Sequence, residues 1–266
     1  MKLLKAQPLY DEKIQHLSAS LTRRPRRLAV VRFEDNPGNA AYLKGIQTTA
    51  DKIGMSVEVI DASPNEALET VERLNYDATI HGILIFRPLP PSINEQALNL
   101  AIDPNKDVDC MNPLNSAKLY MGDTSGFVPL APKASMELLH YYGYTLQGKN
   151  CVIVNHSNVV GKPLAMLLLA EGATVTICHD KTVDLKAYTQ KADFVFTATG
   201  QSEYFDGSYF KDGAVAIDIG IARSASGKLT GDLKSQTLDL LEAYSPVPGG
   251  IGSLTSLMLL ESIVNR

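Results

Sequence analysis

The stretch NCVIVNHSNVVGKPLAMLLLAEGATVTICHD, residues 150–180, decides the fold. NCVIVN reads as a buried strand, HSNVVGKP as a loop, LAMLLLAEG as a helix closed by Gly172, and TVTICHD as the next strand. Strand, loop, helix and strand in that order make the unit of a mononucleotide-binding fold. A dinucleotide loop usually wants glycine for its tight first turn and for close approach of backbone to pyrophosphate. Here Asn155 and Ser157 hold the first two positions, and only Gly161 remains, for helix–strand packing. Asn tolerates the left-handed conformation, and Ser can cap the helix and donate to phosphate. A purely structural strand–turn–helix is the alternative.

Asp180 ends the second strand, about 25 residues after the loop begins. A carboxylate there accepts hydrogen bonds from a ribose hydroxyl and repels a 2′-phosphate, which favours NAD over NADP. Two features pull the other way. Lys181 and His156 can neutralise a phosphate, and a strand-end Asp is often only a turn former.

Working outward, ADFVFTATG (192–200) and GAVAIDIGI (213–221) continue the strand pattern, and ASMELLHYYGY (134–144) reads as a linking helix. An earlier set precedes it. LAVVRF (28–33), SVEVIDA (56–62) and HGILIF (81–86) read as strands; AAYLKGIQTTADKIG, NEALETVERLN and INEQALNLAI read as helices. Such alternation implies parallel sheets with right-handed crossovers, an α/β fold. Two α/β domains around a cleft are expected. Residues 1–134 form one, completed by a C-terminal helix at 252–266, and residues 135–251 form a Rossmann-like dinucleotide-binding domain. The cleft is the default site, since open parallel sheets bind ligands beyond the carboxyl ends of their strands.

Composition bounds the rest. A chain of 266 residues, 45% hydrophobic and 20% charged, fits an ordinary globular protein. The net charge of −4 argues against nucleic-acid binding. The run Arg23-Arg24-Pro25-Arg26-Arg27 reads as a solvated loop before a strand rather than a site for phosphate or anionic lipid. Cys110, Cys151 and Cys178 are odd in number and form no CxxC pair, so they read as reduced thiols of a cytoplasmic protein. MKLLKAQPLYDEK reads as too short and too interrupted by polar residues for a signal peptide, and PLAMLLLAEGA is about half a membrane span. No membrane partner and no metal site are expected.

NPGNAAYLKGIQ (36–47) opens a helix bearing a tyrosine and a lysine. A helix turns about 100° per residue, so Lys44 points about 200° away from Tyr42. The residue one turn on from Tyr42, on its own face, is Ile46. His81 and His140 fall on strand and helix positions where packing accounts for them.

The order and spacing of DNPGNAAYLKGI, GILIFRPLP, DPNKDVDCMNPLN, SNVVGKPLAMLL, ATVTICHDKT and SPVPGGIGSLT resemble the methylene-tetrahydrofolate dehydrogenase/cyclohydrolase (FolD-like) family, nearly end to end. The resemblance implies a hydride transfer from 5,10-methylene-tetrahydrofolate to a nicotinamide cofactor, followed by hydrolysis of the methenyl cation. It puts the family tyrosine at Tyr42, its serine at Asn39, its lysine at Ile46 and its assisting glutamine at Phe86. Tyr42 and Asp109 become the candidate catalytic pair, one stacking on the pterin and the other bonding its amino edge. Ile46, Phe86, Pro88, Pro248, Gly249 and Gly250 line the substrate side. Asn155, His156, Ser157, Val160, Gly161, Asp180, Thr199, Gly200 and Ile219 form the cofactor side. The usual Pro-Cys-Thr-Pro turn reads Pro129-Leu130-Ala131-Pro132.

Hydrolysis of a methenyl cation needs a residue of tuned pKa to activate water, and isoleucine and phenylalanine have none to offer. Losing a general base costs on the order of 10²–10⁴-fold. Cyclohydrolase activity is therefore expected to be weak or lost. The hydride step asks mainly for alignment of two rings and is expected to survive. Two other readings stay open: a dinucleotide-dependent enzyme on another substrate, and a non-catalytic paralogue that binds a nucleotide or a partner. The resemblance also implies a homodimer formed through the cofactor half.

Overall fold

The computed structural model describes residues 1–34 and 36–266; Asp35, the first residue of the motif DNPGNAAYLKGI, lies outside the described residues. The chain separates into two compact units, one of Met1–Leu9 with Leu130–Thr255, the other of Tyr10–Pro129 with Ser256–Arg266.

The chain opens with a two-residue strand, β1 (Lys2–Leu3), followed by helix α1 (Gln7–Arg23). Strand β2 (Arg27–Arg32), helix α2 (Pro37–Ile53), strand β3 (Ser56–Asp61), helix α3 (Ala67–Tyr76) and strand β4 (Gly82–Ile85) come next. β2 lies between β3 and β4, parallel to both. Its central position explains why Leu28, Ala29, Val30 and Val31 form an unbroken apolar run, all fully buried. On one face Ala29, Val31, Ile83 and Ile85 pack with Val71 and Leu74 of α3 and with Leu98 of helix α4 (Glu95–Ala101).

α2 is closed at both ends by its own sequence. The Asn36 side chain accepts from the N–H groups of Gly38 and Asn39, Pro37 sits in the first turn, and Gly54 ends the helix at φ +80°. Leu43, Ile46, Ala50 and Ile53 make its buried stripe at helical spacing. Helix α5 (Pro113–Tyr120) starts at Asn112, whose side chain accepts from Leu114 N–H. The last eleven residues belong to this unit. Glu261 binds Lys13 of α1 at 2.6 Å, and Arg266 donates to the Ser125 carbonyl.

The other unit begins with helix α6 (Leu130–Tyr141), strand β5 (Asn150–Val154), helix α7 (Gly161–Ala170) and strand β6 (Thr174–Cys178). Then come the short helix α8 (Leu185–Thr189), β7 (Phe194–Thr197), β8 (Val215–Asp218), the hairpin β9 (Ala222–Arg223) with β10 (Leu229–Thr230), β11 (Ala243–Tyr244) and helix α9 (Thr255–Val264), all but the first residue of which falls in the unit of Tyr10–Pro129. Its sheet is parallel, in the order β6-β5-β7-β8-β11-β1. From β5 the chain moves outward to β6, then crosses back to lay β7 on the other side of β5. The strand order therefore reverses at β5 and β7, the place where such sheets bind ligands.

The compact units differ from the expected domain bounds in two respects. The N-terminus does not belong with residues 10–129: Lys2 pairs with Ala243 and Leu3 with Tyr244, which adds β1 to the edge of the six-stranded sheet. The division falls at Leu130 rather than after residue 134, because α6 starts there, and at Ser256 rather than 252. The basic run is shorter as a loop than its composition suggests, since α1 extends to Arg23 and β2 begins at Arg27.

Candidate active site

In the three-stranded unit, α2 carries Tyr42, half-buried, and Ile46, fully buried. Phe86, just past the end of β4, is 5% exposed, and its ring centre lies 6.1 Å from that of Tyr42, the planes tilted by 36°. Position 46 thus sits inside the apolar stripe of its helix, and position 86 turns an aromatic face to the tyrosine. Lys44 is exposed on another face of α2. A cavity of about 370 Å³ opens beside the start of this helix, lined by Arg32, Asn39, Leu43 and Phe86 among others. Arg32 is ion-paired with Asp61.

The peptide bond between Arg87 and Pro88 is cis. Arg87 is held by three acceptors: Glu95 at 2.9 Å, Asn99 at 2.5 Å and the Ile85 carbonyl at 3.2 Å. Asp109 is partly buried, and burial pushes its carboxyl up to about 6, with the nearby Arg87 pulling it down and Asp107 raising it further. Asp107 has a different task. It is 1% exposed and accepts from the N–H groups of Met111 and Asn112 and from the Asn115 amide. Asp107 therefore fastens the loop from which Asp109 projects. Cys110, between them and the loop's turn, sits at φ +58°.

In the six-stranded unit the candidate cofactor residues gather at the carboxyl ends of β5, β6 and β7. Asn155 is the hub. Its amide nitrogen donates to the Ala198 carbonyl at 2.8 Å, bridging β5 and β7 where the strand order reverses. Its oxygen accepts from the Ser157 N–H and hydroxyl and from Gly161 N–H at 2.8–3.0 Å. Asn155 is not among the described residues with positive φ, so it serves the loop through side-chain hydrogen bonds and not through a left-handed turn. The Ser157 hydroxyl accepts from Val160 N–H. Gly161 is there for space: a Cβ on it would lie 2.0 Å from the Asn155 carbonyl oxygen.

A cavity of about 330 Å³ lies against these strand ends, bordered by Asn155, His156, His179, Asp180, Thr199 and Gln201. The His156 and His179 rings are 5.0 Å apart. Asp180 is exposed, with the Lys181 ammonium at 3.0 Å holding its carboxyl below the usual range. Gly200 turns the chain at φ +69°, and Ile219 is half-buried after β8, its N–H donating to the Thr197 carbonyl. Pro248 follows a cis bond, Gly249 has φ +99°, and a Cβ on Gly250 would meet the Pro246 carbonyl oxygen at 2.5 Å. The residues around the 330 Å³ cavity could receive a dinucleotide: it lies at the switch point, with the Asp180 carboxylate and the Thr199 and Gln201 positions on its border.

Sequence profiles match both units. The profile described as tetrahydrofolate dehydrogenase/cyclohydrolase, catalytic domain, covers residues 4–109, and the one described as its NAD(P)-binding domain covers residues 129–266. The chain belongs to the tetrahydrofolate dehydrogenase/cyclohydrolase family. A bifunctional protein FolD of Clostridium botulinum is 43% identical over 90% of this chain and 86% of its own length. The crystal structure of the bifunctional FolD enzyme of Campylobacter jejuni superimposes with a TM-score of 0.96 at 36% identity, covering 100% of this chain and 98% of that one. The Trypanosoma brucei enzyme, complexed with NADP cofactor and inhibitor, matches with a TM-score of 0.92 at 27% identity over 98% and 95% of the two chains.

Within this family of folate one-carbon oxidoreductases, none of Arg87, Asp218 and Asp232 was singled out in the sequence. Arg87 occurs there only inside GILIFRPLP. IDIG and GDL each pair an acid with a glycine at a strand boundary, a signal open to reading for Asp218 and Asp232. No helix among the described residues is long and apolar enough to cross a membrane, and no group of three or more metal-binding side chains occurs among them.

Proposed function

We propose that this chain is a dehydrogenase of 5,10-methylene-tetrahydrofolate, acting in the cytoplasm and preferring NAD, with its cyclohydrolase step weak or lost. The observation that carries this reading is the burial of Ile46 and Phe86 beside Tyr42, at the positions where the family resemblance puts lysine and glutamine. Neither side chain can hold a proton or orient a water for attack on a methenyl cation. When bound, the dinucleotide supplies the acceptor for the hydride that leaves the folate's methylene carbon.

What the residues contribute is alignment. Tyr42 offers a ring to the pterin, backed by Phe86. Asp109 offers a carboxylate to the pterin's amino edge, and Arg87 keeps that acid partly ionised. Asn155 and Gly161 hold the loop after β5 closed, and Asp180 presents its carboxylate to the ribose while its charge opposes a 2′-phosphate. A homodimer through β6 accompanies the proposal. β6 is an edge strand of the sheet, and Ile177 on it and Leu169 on α7 are 38% and 50% exposed.

The test is a pair of rate measurements on the purified protein. One follows reduced nicotinamide formed from methylene-tetrahydrofolate with NAD and with NADP, and the other follows methenyl-tetrahydrofolate consumption. Hydride transfer with NAD at least tenfold faster than methenyl hydrolysis supports the reading. Hydrolysis keeping pace with hydride transfer refutes it.

A further inference from the structure

Two aspartates in the six-stranded unit are as buried as any apolar residue around them. Asp218, the last residue of β8, is 2% exposed, and Asp232, just after β10, is 0% exposed. Among the described residues neither meets a cation. Backbone N–H groups hold them instead. Asp218 accepts from Gly220, Asp232 and Leu233 at 3.0, 3.1 and 2.9 Å. Asp232 accepts from Thr199 at 2.6 Å and Gln201 at 2.9 Å.

The arrangement is reciprocal. A Cβ on Gly220 would lie 2.2 Å from the Asp232 carboxyl carbon, and a Cβ on Gly231 would lie 2.0 Å from an Asp218 carboxylate oxygen. Each glycine is thus the floor for the other segment's acid. Backbone bonds from Glu203 to Gly231 and from Phe205 to Asp232 extend the same seam. A buried carboxylate without a counter-ion is costly, and a seam used only for stability would be served better by apolar packing. What distinguishes this pair is where its free end goes. Thr199 and Gln201 border the 330 Å³ cavity that also holds Asp180.

We propose that Asp232, braced by Asp218, is a positioning residue for the dinucleotide: its carboxylate fixes the Thr199–Gln201 turn in the shape that receives the cofactor. Both oxygens of Asp232 are needed, because two N–H groups converge on them. The inference rests on the reading of this cavity as the dinucleotide site.

The experiment is Asp232→Asn, which keeps the size but turns an NH₂ toward one of the two N–H groups whichever way the amide flips. The expected result is a KM for the dinucleotide raised about tenfold or more, the loss from breaking a hydrogen bond to a charged group, with kcat and the KM for the folate little changed. A folded variant with unaltered dinucleotide KM overturns the positioning role, as does one in which both KM values and kcat fall together. If the variant does not fold, hydrogen exchange on the wild-type protein decides. Slow exchange of the Thr199 and Gln201 amides before cofactor is added upholds the proposal, and exchange at the rate of an open loop refutes it. Titration of the wild type with NAD and NADP separates the two layers: binding of neither removes the functional reading and this proposal with it, whereas binding with an indifferent Asp232→Asn removes the proposal alone.

Discussion

The Tyr42 and Phe86 rings stand 6.1 Å apart and tilted by 36°, so the tyrosine has an aromatic neighbour at the position where the family resemblance puts a glutamine. Ile46, one helical turn from Tyr42, is 0% exposed and closes the same side. Ile46→Lys combined with Phe86→Gln should therefore restore methenyl hydrolysis to a level on the order of 10²-fold or more above the parent. Burial at position 46 disfavours the charged ammonium, which helps a general base and harms the fold. The double variant should unfold a few kcal/mol more easily in denaturant, within the usual cost of a polar group placed in a core. A folded double variant that binds folate and remains inert as a hydrolase would show that the missing chemistry lies at another residue.

At the other site, charge at the end of β6 bears on cofactor choice. Asp180 is exposed and paired with Lys181, while His156 and His179 lie across the same cavity. Asp180→Ser with His156→Arg removes one negative charge and adds a permanent cation able to form a bidentate contact with phosphate. The ratio of dissociation constants, NADP over NAD, should fall about tenfold or more, and calorimetric titration reads it directly. An unchanged ratio would mean that another residue selects the cofactor.

How far the sequence carried these sites depended on whether the signal was local. The α2 stripe and its caps, and the β5–loop–α7–β6 unit, were legible because period, turn chemistry and helix ends agree within about thirty residues. α1 was not. Its half-buried and buried positions, Tyr10, Ile14, Leu17 and Leu21, follow a helical stripe, but Lys13 interrupts it, and the acid that pairs with that lysine, Glu261, is distant in the sequence. β1 is two residues long and exists through pairing with β11 across some 240 positions, which no local pattern records. Asp218 and Asp232 carry little local signal because an aspartate at a strand end is common, and what marks them out is burial against two glycines. Asn155 shows a subtler gap: its position was read, but its work is done by the side chain and not by a left-handed backbone.

Gly161 gives a test of the loop that needs no substrate. Its α-carbon is packed so close to Asn155 that an added methyl group would sit 2.0 Å from a backbone carbonyl oxygen, an acceptor that cannot swing aside. Gly161→Ala should destabilise the protein by about 3 kcal/mol in denaturant titration, the upper end of the usual overpacking range, because backbone has to move. NAD affinity should fall with it, because Asn155 loses its bond to residue 161. By contrast, Gly213→Ala meets no neighbour within 4 Å and is opposed only by φ +75°, so its cost should stay near 1 kcal/mol. Equal losses for the two variants would show that the loop tolerates a side chain after all.

The buried acids set the response to pH, with two separable windows. Burial raises Asp218 to about 7, with the charge of Asp232 adding to it and three N–H donors opposing it. Its pKa in the unfolded chain is near 3.8, so the folded state binds a proton there that the unfolded state has released. That stability is fully present below pH ~4 and is lost as pH rises toward 7, at up to ~1.4 kcal/mol per unit. Asp109, raised to about 6, adds loss over the lower part of the same range. Glu203, Lys228 and Tyr244 border the cavity beside Asp218, and none of them supplies a cation bonded to it among the described residues. Denaturant midpoints measured from pH 5 to pH 8 should fall for the parent protein through about pH 7. In Asp218→Asn the whole curve should sit lower, because one N–H group loses its acceptor, and the decline should end near pH 6, where only Asp109 remains to titrate. The binding side has the opposite sign. An ionised Asp109 is the better acceptor for the amino edge of a pterin, so affinity for a tetrahydrofolate analogue should strengthen as pH rises through about 6, and Asp109→Asn should abolish that rise. A parent curve flat between pH 5 and 7 would mean that both acids are ionised in the fold, which would leave their burial to be carried by backbone N–H groups alone.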